Sequence, residues 1–322
     1  SALSRYTQWD FIELVKKHKI AYYEKTLGQL FCVNKSQEIV NMLLAECEQA
    51  RVKIQLNTHI QHIKKLPSSN FEVKTKNTAY ACNALVIAAG GLSIPTLGAS
   101  PFAYHVAEQF GLPVYPTRAG LVPFTLNPED KEKLSTLSGI GLPSVVSNQK
   151  ANFKEALLFT HRGFSGPAIL QLSSYWSPGE TITINLLPEY NLLDMLQKAR
   201  IETPKKQLNS ILSAHLPKRV IDVFIPMQYA EKKLGDLSNP TLDNITSLIQ
   251  YWQVKPDGTE GYRTAEVTLG GIDCNAISSK TMEAQNVPGL YFIGEALDIT
   301  GLLGGYNFQW AWSSGFAAGQ SV

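Results

Sequence analysis

A segment near the C-terminus constrains the fold more than any other part of the chain. Residues 289–294, GLYFIG, form an apolar run that ends in glycine and is followed by Glu295. A loop with Gly304 and Gly305 comes next, and small residues then recur at helical spacing within residues 311–319. This pattern predicts a strand, a ligand loop and a tightly packed helix. Glycines let the backbone approach a ligand, and free N–H groups in a helix's first turn favour negative charge, so the loop is expected to hold an electron-rich ligand.

A second apolar run ends in glycines earlier in the chain. Residues 84–89, ALVIAA, precede Gly90 and Gly91. Such a run suits a parallel strand that is buried on both faces and meets a ligand at its carboxyl end. A core strand followed by a glycine turn is an equally good interpretation of these residues.

The run GLYFIGEALDITGLLGGYNFQWAWSSGFAAG resembles the C-terminal flavin-binding segment of a bacterial family of NAD(P)/FAD-dependent oxidoreductases, also described as aminoacetone-oxidase-family FAD-binding proteins. The similarity extends along the chain through Gly90-Gly91, LFTHRGFSGP at residues 158–167 and VTLGGI at residues 267–272. The resemblance implies a glutathione-reductase-like FAD-binding fold. It also implies FAD as the cofactor and allows NAD(P)H as the electron donor.

The resemblance assigns the cofactor site residue by residue. The residues from Gly304 to Asn307 would bring a helix N-terminus to the N1/O2 edge of the isoalloxazine. There a helix dipole stabilises the negative charge of the reduced flavin by up to ~2 kcal/mol. Gly294, Glu295 and Asp298 would lie along the ribityl-pyrophosphate portion of FAD. The implied cofactor-binding residues are Ala89, Gly90, Gly91, Gly294, Glu295, Asp298, Gly304, Gly305, Tyr306 and Asn307.

The start of the chain is unusual for this family. Residues 7–16 already predict a helix, with Thr7 as its cap and Asp10 three residues later. In the resembled family an N-terminal strand and helix carrying G-x-G-x-x-G precede this point, and the motif does not occur in the sequence. We therefore expect a truncated chain whose sheet is completed by the missing N-terminal segment or by another chain. Because that turn supplies the pyrophosphate cradle, the chain alone is not expected to bind FAD tightly.

Composition excludes several kinds of partner and site. Lys plus Arg number 29 and Asp plus Glu 27, so the net charge of +2 gives no overall field for nucleic acid or an anionic membrane, and neither is an expected partner. The four cysteines are far apart without a C-x-x-C, which indicates reduced thiols and a cytoplasmic location. No apolar run is long enough for a membrane helix. His59 and His62 would face opposite sides of a strand, so no metal site is expected.

The order of the predicted elements indicates an α/β protein. Together with the resemblance, it implies a glutathione-reductase-like FAD-binding domain that lacks its N-terminal βαβ unit and carries an inserted β-rich domain and a small helical subdomain. Strands are expected at residues 52–56, 59–66, 71–75 and 80–82, and an amphipathic helix at residues 36–51. The predicted segments are residues 1–111 (FAD-binding domain, first part), 112–190 (inserted β-rich domain, first part), 191–255 (helical subdomain), 256–270 (return strand of the β-rich domain) and 271–322 (FAD-binding domain, second part).

The inserted part contains the candidate substrate residues. In GFSGP, residues 163–167, Ser165 is expected near a helix cap and Pro167 in the first turn, so Ser165 and Gly166 either cap a helix or bind an anionic substrate. His161 and Arg162 are the candidate catalytic residues, because an imidazole and a guanidinium can polarise a carbonyl or bind a carboxylate. A structural role fits them slightly better.

The predicted helical subdomain carries basic pairs, Lys205-Lys206, Lys218-Arg219 and Lys232-Lys233, which on short helices are usually solvated faces. Trp310 and Trp312 are interpreted as packing residues, with a place for one of them beside the flavin as the less favoured alternative. The sequence thus predicts a FAD-dependent oxidoreductase that transfers hydride or electrons between a reduced nicotinamide or a small organic substrate and the flavin. The alternative is an RNA- or protein-binding module in which the flavin is structural.

Overall fold

The computed structural model describes residues 1–25, 28–68 and 70–322. The chain forms two compact units, of which the first comprises residues 1–118 and 267–322 and the second residues 119–266. Residues 112–118 and 267–270, which the sequence assigned to the inserted domain, belong to the first unit. Among the described residues no helix is both long and apolar enough to cross a bilayer.

The first unit contains helices from both ends of the chain and a set of small sheets. Its helices are α1 (Ala2–Arg5), α2 (Gln8–Lys17), α3 (Gln37–Gln49), α4 (Phe102–Gln109) and α12 (Tyr306–Gly319). Its strands are β1 (Tyr22–Glu24), β2 (Leu30–Cys32), β3 (Ile60–Lys65), β4 (Phe71–Thr75), β5 (Ala79–Cys82), β6 (Leu85–Ile87), β15 (Val267–Ile272) and β16 (Leu290–Phe292), together with most of β7 (Val114–Gly120).

The predicted helices of the first unit are present. Thr7 and Asp10 form a capping box at the start of α2, since the Thr7 N–H donates to Asp10 Oδ2 at 2.7 Å. Helix α3 is amphipathic, but Val40, Leu43 and Leu44 on its apolar stripe are exposed. In the described residues the apolar face of α3 is therefore only partly covered.

The small sheets agree with the predicted strands except in two places. Strands β3, β4 and β5 form the antiparallel meander, and β6 pairs with β16 in parallel. The predicted strand at residues 52–56 is wrong, because that segment is irregular and its alternating Val52, Ile54 and Leu56 are exposed, without a partner strand in the described parts of the chain. Strand β6 is also not buried on both faces, since Val86 is 37% exposed.

The predicted return strand at residues 256–270 is divided between the two units. Strand β14 (Gly258–Thr259) joins the sheet of the second unit, whereas β15 pairs with β7. Packing explains why β15 stays in the first unit. A Cβ on Gly270 would collide with the carbonyl of Pro116, and one on Gly271 would lie 2.8 Å from the carbonyl oxygen of Ala296. These glycines allow the backbones of neighbouring segments to touch.

The second unit is a seven-stranded antiparallel sheet with helices. The strand order is β13-β12-β9-β10-β11-β8-β14. The strands not yet given are β8 (Phe124–Thr125), β9 (Gly141–Ser147), β10 (Asn152–Phe159), β11 (Gly163–Ser165), β12 (Ile182–Asn185) and β13 (Trp252–Val254). The helices are α5 (Pro128–Leu134), α6 (Pro167–Ser173), α7 (Leu192–Glu202), α8 (Leu208–Leu212), α9 (Lys218–Phe224), α10 (Met227–Ala230) and α11 (Asn239–Gln250).

Hydrophobic periodicity and helix capping explain why these residues form strands and helices. In β9 the alternate residues Leu142, Ser144 and Val146 are buried, as expected for a strand with one face on a core. Helix α11 begins at the cap Ser238 and buries residues 242, 245, 246 and 249, which lie on one side of a helix. The second unit thus has its own apolar core between sheet and helices.

Candidate functional site

The glycine-bearing segments that the sequence singled out meet around one buried threonine of the first unit. Thr268, at the start of β15, is fully buried. Its backbone N–H donates to Glu295 Oε1 at 2.6 Å, and its hydroxyl oxygen accepts the N–H of Leu92 at 2.8 Å. The Ser93 hydroxyl lies 3.0 Å from the same oxygen. Thr268 therefore ties the segments after β6 and β16 to β15.

The two neighbouring glycines after β6 differ in why glycine is required. Gly90 has φ +68, in the left-handed region, and a Cβ there would meet nothing within 4 Å. Gly91 does not have a positive φ, but its Cβ would lie 2.6 Å from Thr268 Oγ1 and 3.2 Å from Glu295 Cδ. Gly90 thus faces open space beside exposed Ala89, whereas Gly91 is fixed by packing.

Glu295 is held by protein donors. Burial raises the pKa of its carboxyl, and hydrogen bonds from the backbone N–H groups of Thr268 and Gly91 offset part of that rise. A carboxylate that accepts two backbone N–H groups fixes the spacing of the segments that carry them. The structure therefore gives the Glu295 side chain a positioning role between three segments.

Gly294, before Glu295, is held by helix α12. Its N–H donates to Ser314 Oγ at 2.9 Å, and its carbonyl oxygen accepts the indole N–H of Trp310 at 3.0 Å. Trp312 stacks on Phe11, with ring centroids 3.3 Å apart. Both tryptophans therefore pack within the protein, as expected. The end of β16 is locked onto the helix that follows the loop.

The loop before α12 is closed by Asn307. Its Oδ1 accepts the N–H of Gly301 at 2.8 Å, and its Nδ2 donates to the Gly301 carbonyl oxygen at 3.1 Å. A Cβ on Gly301 would lie 2.5 Å from the Cβ of Tyr306, so the loop is tight at this point. The Asn307 side chain is thereby occupied within the loop.

The tip of this loop is open. Gly305, the N-cap of α12, has φ +90, and no side chain caps the helix. A Cβ on Gly305 would meet nothing within 4 Å, and Tyr306 and Phe308 are 62% and 68% exposed. A fourteen-residue helix with an uncapped N-terminus offers N–H groups and a positive dipole end to a ligand. This is the feature predicted from Gly304 and Gly305.

Asp298 lies at the surface of the same unit. Its N–H donates to the carbonyl oxygen of Ile272 at 2.9 Å, and its own carbonyl lies 3.6 Å from Cys274 Sγ. Burial, helped by the charges of Asp298 and Asp273, raises the pKa of the Cys274 thiol. The Asp298 carboxylate is exposed. In the described ranges no three His, Cys, Asp or Glu side chains are grouped as metal ligands.

The candidate substrate residues all lie in the second unit. His161 and Arg162 are exposed at the turn between β10 and β11, and Arg162 Nη1 lies 3.6 Å from Glu260 Oε2. Ser165 lies next to a helix cap, as predicted, but it is not itself the cap. Ser165 is the last residue of β11, and Gly166, with φ +92, is the N-cap of α6.

Gly166 has a packing reason to be glycine, since a Cβ there would lie 2.6 Å from the carbonyl oxygen of Ala156. Pro167 is the first residue of α6, as predicted.

Comparison with known proteins identifies the family. Residues 1–321 match the HI0933-like protein Rossmann domain. The chain belongs to this family. Membership agrees with the mixed α/β fold and confirms the α/β class and the Rossmann-type resemblance, whereas the glutathione-reductase-like details remain a prediction.

Three relatives resemble the chain over most of its length. The "Ribosomal RNA dihydrouridine synthase" of Escherichia coli (strain K12) is 53% identical over 324 residues, which cover 100% of this chain and 81% of that protein. The protein of the same name from Haemophilus influenzae (strain Rd) is 48% identical, with the same coverage. The "3-dehydro-bile acid delta(4,6)-reductase" of Clostridium scindens is 22% identical, covering 90% of this chain and 74% of that protein.

Sequence reasoning missed three residues that organise the site. Thr268, Trp310 and Ser314 bond to the loop segments, yet none was assigned a role there. Thr268 lies inside the VTLGGI motif, so its place beside Gly270 was the available signal. For Ser314 the signal was its small size in a helix of small residues, which indicated close packing without naming the partner.

Proposed function

We propose that this chain forms the larger part of a flavin-dependent reductase that converts uridine in ribosomal RNA to dihydrouridine. The observation that carries the proposal is 53% identity over the whole chain with a protein of that named activity. The proposal narrows the predicted oxidoreductase to one substrate. It also replaces the expectation that nucleic acid is not a partner, which rested on a net charge of +2.

The names of the relatives share a type of chemistry. A dihydrouridine synthase reduces the C5–C6 double bond of uracil, which is conjugated with the C4 carbonyl. A delta(4,6)-reductase of a 3-dehydro steroid acts on double bonds conjugated with a C3 carbonyl. Each reduction adds a hydride equivalent to the carbon of the double bond that lies farther from the carbonyl and a proton to the other carbon of that double bond. The proposed reaction therefore fits a fold that serves the reduction of activated double bonds.

The residues of the first unit fit FAD as the cofactor. Gly305 and Gly90 both have positive φ and open space where a side chain would be, and α12 begins without a capping side chain. A flavin bound there would supply the hydride equivalent for uracil reduction. We propose that a reduced nicotinamide restores its electrons.

The chain's own residues would orient and stabilise the group. The N-terminus of α12 would favour negative charge at the bound group, and Asn307 would keep the loop closed against Gly301. Glu295 and Thr268 would hold the segments after β6 and β16 at a fixed spacing. These contacts are made within the protein, so the site is preorganised.

We propose that His161 and Arg162 contact the substrate. Both are exposed, and Arg162 contacts Glu260 only loosely, with Nη1 3.6 Å from Oε2. A guanidinium can donate to a uracil carbonyl and an imidazole can carry a proton. Conservative variants, His161→Asn and Arg162→Lys, would lower turnover on RNA while leaving flavin reduction by the nicotinamide unchanged.

We also propose that a further polypeptide segment completes the parallel sheet. Val52, Ile54 and Leu56 alternate without a partner strand in the described residues, and Val86 of β6 is exposed. Parallel sheets are normally covered on both faces. Hydrogen exchange at residues 52–56 and 85–87 would slow when that segment is present.

The proposed function is tested with purified protein, FAD and reduced nicotinamide on ribosomal RNA transcribed in vitro. After digestion to nucleosides, mass spectrometry is expected to detect dihydrouridine, heavier than uridine by two hydrogens. Protein that binds flavin and RNA but never forms dihydrouridine would instead support the binding-module alternative.

A further inference from the structure

We propose that a cluster of exposed lysines in the second unit binds the phosphate backbone of the RNA. The lysine cluster consists of Lys205, Lys206, Lys232 and Lys233. This inference rests on the proposed function, because it takes ribosomal RNA as the substrate. It adds a contact surface outside the residues assigned to flavin and uracil.

The fold brings together two lysine pairs that are separate in the sequence. Gln207 and Lys233 form an antiparallel bridge. On either side of it the N–H of Leu208 donates to the Lys232 carbonyl oxygen at 3.0 Å, and the N–H of Leu234 donates to the Lys206 carbonyl oxygen at 2.9 Å. Facing residues of such a pairing have Cα atoms roughly 5 Å apart. The pairing therefore places the four lysines on two adjacent backbone segments.

The backbone under the patch is fixed by burial. Leu208 and Leu234, which make these two hydrogen bonds, are both fully buried, and Gly235 donates to the carbonyl oxygen of Pro204 at 3.0 Å. The four lysines of the cluster are themselves exposed. A rigid base with mobile ammonium tips suits a ligand whose charge repeats along a chain, such as a phosphate backbone.

The charges of the cluster are uncompensated. None of the ion pairs formed within the described residues involves its lysines, and Lys232 Nζ instead lies 5.7 Å over the ring of Tyr229. The acidic residues within three positions of the cluster in the sequence, Glu202, Glu231 and Asp236, are three against four lysines, and Glu202 pairs with Lys198. The patch therefore carries net positive charge although the whole chain is close to neutral.

Other basic side chains of the helical part are already engaged. Arg219 donates to the Thr136 carbonyl oxygen at 2.9 Å, and Arg200 donates to the Leu237 carbonyl oxygen and to Asn239. Lys198 pairs with Glu202. These contacts distinguish the lysine cluster from Arg219, Arg200 and Lys198, whereas Lys218 is a single exposed lysine that forms none of the ion pairs found in the described residues.

A depression of the same unit is a poorer site for RNA. It has a volume of about 590 Å³ and exposes Tyr190 and Tyr251, on which bases could stack. Its lining also includes Glu189, which pairs with Lys154 at 2.8 Å, and Asp243, whose carboxylate repels phosphate. The lysine cluster is therefore the better match to an RNA backbone.

The test compares a cluster variant with a matched control in the whole chain. The cluster variant changes all four lysines to glutamine. The control changes four other exposed lysines that form none of the ion pairs found in the described residues, Lys53, Lys64, Lys74 and Lys76, so both variants lose the same charge. Circular dichroism and thermal unfolding verify that each variant is folded. Fluorescence anisotropy then measures binding of a labelled ribosomal RNA hairpin across a range of salt concentrations.

The cluster variant is expected to bind the hairpin at least about tenfold more weakly at low salt, with a logarithmic salt slope shallower by about 3 units, because each phosphate contact contributes about 0.7–0.9. The control is expected to bind like the wild type. Equal binding of the hairpin by both variants would overturn the cluster proposal. A cluster variant that binds the hairpin like the wild type, and loses binding only to phosphatidylglycerol vesicles, would also overturn it. If the wild type neither bound the hairpin nor formed dihydrouridine, the proposed function would fail with it. Dihydrouridine formation combined with equal binding would reject the cluster alone.

Discussion

Replacing Gly91 by alanine tests how the site is held together. The added methyl group would lie 2.6 Å from Thr268 Oγ1 and 2.8 Å from Thr268 Cβ, and Thr268 is fully buried. The threonine cannot move freely, because its hydroxyl accepts the N–H of Leu92 and its N–H donates to Glu295. The substitution must therefore shift β15 or break these hydrogen bonds.

The magnitude follows from two terms. Overpacking a filled interior costs about 1–3 kcal/mol, and weakening a buried hydrogen bond costs about 1 kcal/mol. We expect Gly91→Ala to lower the free energy of unfolding of the first unit by about 2–4 kcal/mol. The neighbouring Gly90→Ala is the matched control. There the methyl group meets nothing within 4 Å, and only the positive φ costs about 1–2 kcal/mol.

The assay must report on the first unit alone, because the chain has two compact units. Pulsed hydrogen exchange along a urea series, read by mass spectrometry on peptides that cover residues 85–98 and 267–298, gives that local stability. If Gly91→Ala were no more destabilising than Gly90→Ala, the packing of Gly91 against Thr268 would be refuted.

Three further predictions concern the same unit. In the full-length protein Gly305→Val should abolish flavin binding, measured by absorbance after gel filtration with FAD, because a β-branched residue is strained at φ +90. Gly139→Val, with φ +87 outside this unit, should leave binding intact. A yellow Gly305→Val protein would disprove the loop assignment. The raised pKa of Glu295 means that its stabilising contribution is present below the ordinary value of 4.5 and is lost as the pH rises through the raised pKa. Urea unfolding should thus show that the free energy of unfolding of the wild type falls with rising pH relative to that of Glu295→Gln. Parallel curves of unfolding free energy against pH would contradict the burial of the Glu295 charge. Asn307→Ala removes two hydrogen bonds to Gly301. It should speed hydrogen exchange of the loop at least about tenfold, as expected for a loss of about 1–3 kcal/mol in stability. Unchanged exchange would mean that Asn307 does not close the loop.

Much of the fold could be predicted from local patterns. The capping box at Thr7, the meander of β3 to β5 and the strand, loop and helix that end the chain all follow from periodicity and from turn or cap residues close in sequence. The segment at residues 52–56 shows where this reasoning fails. Alternation predicts a strand, but a strand also needs a partner, and pairing depends on distant parts of the chain.

The glycines of the site could be identified from the sequence, whereas most of its hydrogen-bonding residues could not. Gly90, Gly91 and Gly305 were identified together, although the structure separates conformational need from packing need. Thr268 was not identified, because its importance depends on contacts with residues that lie far away in sequence. Short-range patterns carry no information on such contacts.

The most direct measurement of the central claim is the dihydrouridine content of ribosomal RNA from cells of the source organism with and without the gene. Purified ribosomal RNA would be digested to nucleosides and analysed by mass spectrometry. The account predicts that deletion removes dihydrouridine from a ribosomal RNA position, and that the wild-type gene restores it while a Gly305→Val gene does not. Dihydrouridine that persists unchanged in the ribosomal RNA of the deletion strain would contradict the account.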